Sequence, residues 1–212
     1  MTEYSMQAKL ITEFIGTFFL TLTICTAAAF GTAGSHAPFA IASTLMVMIY
    51  AGGHVSGAHY NPAVTVSIYM RGACEKSDVA PYIASQVAAG VAAALVASNV
   101  LMPDADVATM TMDTSPALAA ELMFTFALAY VILNVATSES TEGNGYYGAA
   151  IAFVVLAGAL TVGPISGASF NPAVTASLVS SGVLEAADSW IHIAPQLVGG
   201  ALAALVFNSQ RE

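Results

Sequence analysis

The sequence predicts an all-α membrane protein: six transmembrane helices plus two re-entrant half-helices, arranged as an inverted internal repeat. Three observations carry this. Apolar residues make up 57% of the 212-residue chain and charged residues 8%, with a mean hydropathy of +0.76. A soluble protein is about one quarter charged, so 13 acidic and four basic side chains cannot keep this chain in water. Six stretches approach the roughly 20 apolar residues that a spanning helix needs. Finally, "GAHYNPAVT" at 57–65 returns as "GASFNPAVT" at 167–175.

The spans fall at 8–30, 38–55, 79–101, 117–137, 147–163 and 190–208, separated by polar or turn-rich joints. The first contains Ala27-Ala28-Ala29, which resembles a signal cleavage site. Glu13 inside its apolar run, and the partner of Glu13 in the repeat, argue that the span is retained. An even number of spans puts both termini on one side. The basic residues Lys9, Arg71, Lys76 and Arg211 then share that side, which the positive-inside rule makes cytoplasmic. Tyr146, Tyr147 and Trp190 stand at span ends and suit the aromatic belt. Four cations form no patch able to grip a phosphate backbone, so nucleic-acid binding is excluded despite the net charge of −9. Cys25 and Cys74 read as small packing residues rather than a disulfide. No metal-ligand cluster, cofactor motif or nucleophile–base pair stands at usable spacing, so the chain is not read as an enzyme.

A shift of 110 residues aligns Val55–Ser67 with Ile165–Ser177, nine of 13 positions being identical, and pairs Gln86 with Gln196. A shift of 108 pairs Glu13 with Glu121. The chain is thus one domain, 1–212, made of repeats 8–101 and 117–208. Each holds three spans, and an odd number turns the second copy upside down in the membrane.

Each motif precedes about ten apolar residues, which cover only about half of a 30 Å hydrocarbon core. Asn is a favoured N-cap, Pro suits the first helical position, and Ala has the highest helix propensity. Asn61-Pro62-Ala63 and Asn171-Pro172-Ala173 therefore start two half-helices whose positive dipole ends meet near the midplane. The preceding segments, Ser56-Gly57-Ala58-His59-Tyr60 and Ser166-Gly167-Ala168-Ser169-Phe170, must run non-helically and offer their carbonyls, those of Gly57, Ala58, His59, Tyr60, Gly167 and Ser169 above all. Irregular backbone at that depth has to line a cavity. Facing positive ends repel cations, while carbonyls and Asn amides offer hydrogen bonds to neutral solutes. Two other readings stay open here: a secondary transporter with alternating access, and a junction or scaffold protein with a vestigial pore.

These residues resemble the aquaporin, or major intrinsic protein, family along essentially the whole chain. The resemblance implies a homotetramer in the lipid bilayer, with one pore per subunit for water or small neutral solutes. It also implies that Glu13 and Glu121 are buried structural acids bracing the re-entrant loops. It places the selectivity constriction at Ile41, Ala159, Ala168 and Val174. The family usually has Arg at the last of these, and water-selective members have an aromatic and a His among the others. The aliphatic set implies a wider, less polar ring. Of the histidines, His54 and His59 are read in the loop before the first motif, with His54 a candidate pH-sensitive cap, and His36 and His192 on the outer surface.

Overall fold

A computed structural model describes residues 4–210, so Arg211 and its side assignment lie outside the described residues. It contains α1 (Met6–Thr23), α2 (Ala37–Ser56), α3 (Pro62–Arg71), α4 (Lys76–Val96), α5 (Thr114–Ala136), α6 (Tyr147–Ser166), α7 (Pro172–Ser180) and α8 (Trp190–Ser209). Six of these, α3 and α7 excepted, are long and apolar enough to cross a membrane once the adjoining tight or wide turns are counted.

Local chemistry sets the ends. The Ser5 hydroxyl caps α1 by accepting from the Ala8 N–H. Gly57 and Gly167 stop α2 and α6 in left-handed conformations, with φ of +86° and +76°. At the end away from Lys9, α1 and α4 widen into π-helical turns at Ile24–Ala29 and Ala97–Leu101. Lys9 pairs with Asp78 at 3.1 Å, and Arg71 donates to the Thr137 carbonyl, so Lys9, Arg71 and Lys76 gather at one end of the bundle.

The repeats interlock rather than sit side by side. Helices α1, α2 and α4 form one set, α5, α6 and α8 the other, and α2 meets α6 between them. Each half-helix crosses over: α3 lies on α8 and α7 on α4. Glycine makes the crossings possible. A Cβ on Gly200 would lie 2.8 Å from the Ala63 carbonyl, and one on Gly90 would overlap the Ala173 carbonyl.

Candidate functional site: a braced pair of half-helices in a through-cavity

Both re-entrant segments take the same unusual backbone path. Ala58, Tyr60, Ala168 and Phe170 have φ between +49° and +52°, a left-handed conformation that costs a non-glycine residue about 1–2 kcal/mol. A buried acid offsets this cost in each copy. Glu13 accepts from the Ser56 hydroxyl (2.6 Å), the His59 N–H (2.9 Å), the Tyr60 N–H (2.7 Å) and the Gln86 amide (2.8 Å). Glu121 accepts from the Ser166 hydroxyl (2.6 Å), the Ser169 N–H (3.0 Å), the Phe170 N–H (2.7 Å) and the Gln196 amide (2.7 Å). All eight partners are donors, so each carboxyl serves purely as an acceptor. With both acids fully buried, they hold backbone N–H groups that would otherwise lack partners.

With those N–H groups turned toward the acids, the opposite face of each segment meets open space. One cavity of about 1220 Å³ reaches from Glu139, Asn144 and His54 at the basic end to Ala29, Pro38 and Met110 at the other. The segments Gly57–Asn61 and Gly167–Asn171 line its middle. Leu20, Leu45, Ile49, Leu128 and Ile132 add an aliphatic wall.

The half-helices meet there. Asn61 Oδ1 accepts from the Ala63 and Val64 N–H groups, and Asn171 Oδ1 from the Ala173 N–H. The amide ends then cross the repeat boundary. Asn61 Nδ2 donates to the Phe170 carbonyl and Asn171 Nδ2 to the Tyr60 carbonyl, both at 2.9 Å. An amide has two N–H donors, so one on each Asn ties the tips together and the second is left for the cavity.

The family model described as Major intrinsic protein matches residues 1–207. The chain belongs to the major intrinsic protein family. It is 37% identical to Aquaporin NIP1-3 of Oryza sativa subsp. japonica, over 98% of this chain and 75% of that one. Aquaporin NIP1-2 of Arabidopsis thaliana is 34% identical, over 96% and 74% respectively. An X-ray structure of the aquaglyceroporin from Plasmodium falciparum superposes with a TM-score of 0.74 at 18% identity, covering 97% of this chain and 95% of that chain. This major intrinsic protein is a multi-pass membrane channel, passive and not an enzyme, for water and small neutral solutes.

Within the channel, Ile41, Ala159, Ala168 and Val174 all line the cavity. Val174 also heads an apolar cluster with Leu178, Val183 and Leu184. Two expectations need correction. His192 is not on the outer surface but completely buried, with neither ring nitrogen hydrogen-bonded. Its place in α8, two residues after the exposed Trp190, turns it inward. His54 is in the last turn of α2 rather than in a loop, edge-on to the Tyr4 ring at 5.9 Å. The Tyr60 carbonyl accepts from Asn171 and the Phe170 carbonyl from Asn61, and both residues line the cavity. His36 is exposed, as expected.

Sequence reasoning put Ser56 and Ser166 at the head of the non-helical segments, whereas they end α2 and α6 and donate to Glu13 and Glu121. It missed Met110, for which no sequence signal exists: only the folded chain brings residue 110 to the cavity.

Proposed function

We propose that Ile41, Ala159, Ala168 and Val174 form the selectivity constriction, and that it passes water together with neutral solutes such as glycerol, urea, ammonia and peroxide. Protons and ions are excluded at Asn61 and Asn171. The observation that carries this reading is the tip-to-tip joint, in which Asn61 and Asn171 donate to the Phe170 and Tyr60 carbonyls. The joint holds two helix N-termini, each worth about half a positive charge, against one permeation path. Around it the wall is aliphatic, and Ala159 and Ala168 contribute only small side chains to the lining. By family resemblance we further propose a homotetramer in the cell membrane. The clustering of Lys9, Arg71 and Lys76 at one end supports cytoplasmic termini.

Stopped-flow light scattering on reconstituted vesicles tests the constriction through Val174→Arg. A guanidinium adds bulk and fixed donors to an otherwise aliphatic ring. Glycerol and urea permeability should fall about tenfold, corresponding to about 1.4 kcal/mol of barrier, while water permeability is retained. Unchanged glycerol and urea flux would remove Val174 from the constriction.

A further inference from the structure

The outer end of the cavity has a wall that neither repeat supplies. The segment joining α4 to α5 folds back over the turn that follows α7. The Met110 N–H donates to the Val183 carbonyl at 2.7 Å, and the Thr109 hydroxyl donates to the Gly182 carbonyl at 3.2 Å. Val107, Met110 and Met112 pack on the apolar cluster headed by Val174. From this anchored position the Met110 side chain turns into the channel, where it lines the cavity beside Gly167, Ala168 and Val174. Its sulfur lies close to Gly167, since a Cβ on that glycine would be 2.9 Å from Met110 Sδ.

We propose that Met110 is a fifth, specificity-determining constriction residue, a deformable apolar flap over the outer side of the ring formed by Ile41, Ala159, Ala168 and Val174. This rests on the channel reading above. The physical basis is the contrast between the anchor and the side chain. Two hydrogen bonds to the Gly182–Val183 turn fix the Met110 backbone. The unbranched thioether has three rotatable bonds and no strong donor or acceptor, so it yields to a passing solute at low cost. A β-branched or γ-branched side chain of similar volume would not yield as readily. Water passes beneath the flap, whereas glycerol and urea have to displace it. Met110 therefore discriminates by solute size and leaves charge exclusion to the midplane.

The test compares water, glycerol and urea permeability of wild type, Met110→Ala and Met110→Leu in vesicles, normalised to channel content. Met110→Ala should raise the glycerol-to-water and urea-to-water ratios about threefold or more. Met110→Leu, similar in volume but stiffer, should lower both. Ratios equal to wild type in both variants, including a proportional change in every flux, would overturn the proposal. Wild-type fluxes no greater than those of empty vesicles would instead overturn the channel reading beneath it.

Met110→Cys gives an independent readout, since a bulky methanethiosulfonate added to it should reduce solute flux. The native thiols compete little. Cys25 is buried, and burial together with the nearby Asp78 pushes the Cys74 thiol up to about 11, so it stays protonated at neutral pH. Solute flux through Met110→Cys that the reagent leaves unchanged would place residue 110 off the permeation path and overturn the proposal.

Discussion

His192 shows how far the two repeats agree and where they part. Its counterpart is Tyr82, 110 positions earlier, whose hydroxyl donates to the Ser56 carbonyl at 2.8 Å while its ring packs edge-on to His59. In the second copy the loop histidine becomes Ser169, and the helix tyrosine becomes His192. The imidazole lies beside the Ser166 carbonyl without a well-formed hydrogen bond, and its other buried ring nitrogen has no polar partner. Each such group costs about 1–3 kcal/mol. His192→Tyr would restore the residue that the first repeat carries at this position. The expected result is a gain of about 1–2 kcal/mol, read as a higher melting temperature of the detergent-solubilised protein. A fall would mean that the site cannot hold the larger ring. The bracing residues Glu13, Glu121, Gln86 and Gln196 are legible in the sequence because a charge or amide inside an apolar run stands out, and each recurs in the second copy. His192 is not legible, because its repeat partner is chemically different and the polar stretch before it suggests a surface.

At the scale of elements, the half-helices depend on close approach rather than on propensity. Ten residues of α3 and nine of α7 are too short to be stable helices alone. Asparagine caps, proline at the first position and packing against α8 and α4 supply the rest. Gly200 and Gly90 let those backbones touch, and they too are 110 positions apart. The sequence shows Gly-Ala faces in α4 and α8 and so indicates close packing. It does not show that each packs on the half-helix of the other repeat, because that partnership exists only after the halves interlock. Gly200→Ala places a Cβ against the rigid Ala63 carbonyl, with no flexible side chain to move aside. Overpacking of this kind costs about 1–3 kcal/mol, and the displaced backbone is the one that presents Asn61. The variant should melt lower and conduct less water per channel. Glycine-to-alanine replacement at Gly145, away from the cavity lining and where a Cβ would meet nothing within 4 Å, should leave both properties near wild type and serves as the control.

For the molecule as a whole, the inverted repeat concentrates selectivity against charge at one point. The proposed constriction residues Ile41, Ala159, Ala168 and Val174 contribute no charge, and the buried acids turn their oxygens toward the loop N–H groups. The proposed barrier to cations is the pair of half-helix N-termini, brought tip to tip by the pseudo-two-fold relation and capped by Asn61 and Asn171. Asn61→Asp tests this with little loss of helix capping, since Asp caps about as well as Asn. The change removes the donors that reach the Phe170 carbonyl and the cavity, and it sets a negative charge against about half a positive charge at each tip. Cation leak should rise at least about tenfold, measured as potassium or proton flux into vesicles with an internal dye, while water permeability remains measurable. The pseudo-symmetry makes a second demand: Asn171→Asp should act like Asn61→Asp, because each side chain bonds the carbonyl just before the other asparagine. If both variants stay as ion-tight as wild type, the midplane is not the barrier, and exclusion must arise along the length of the aliphatic wall. If only Asn171→Asp leaks, the half of the path away from Lys9, where Val174 and Met110 line the cavity, contributes more to exclusion than the symmetric tip-to-tip joint implies.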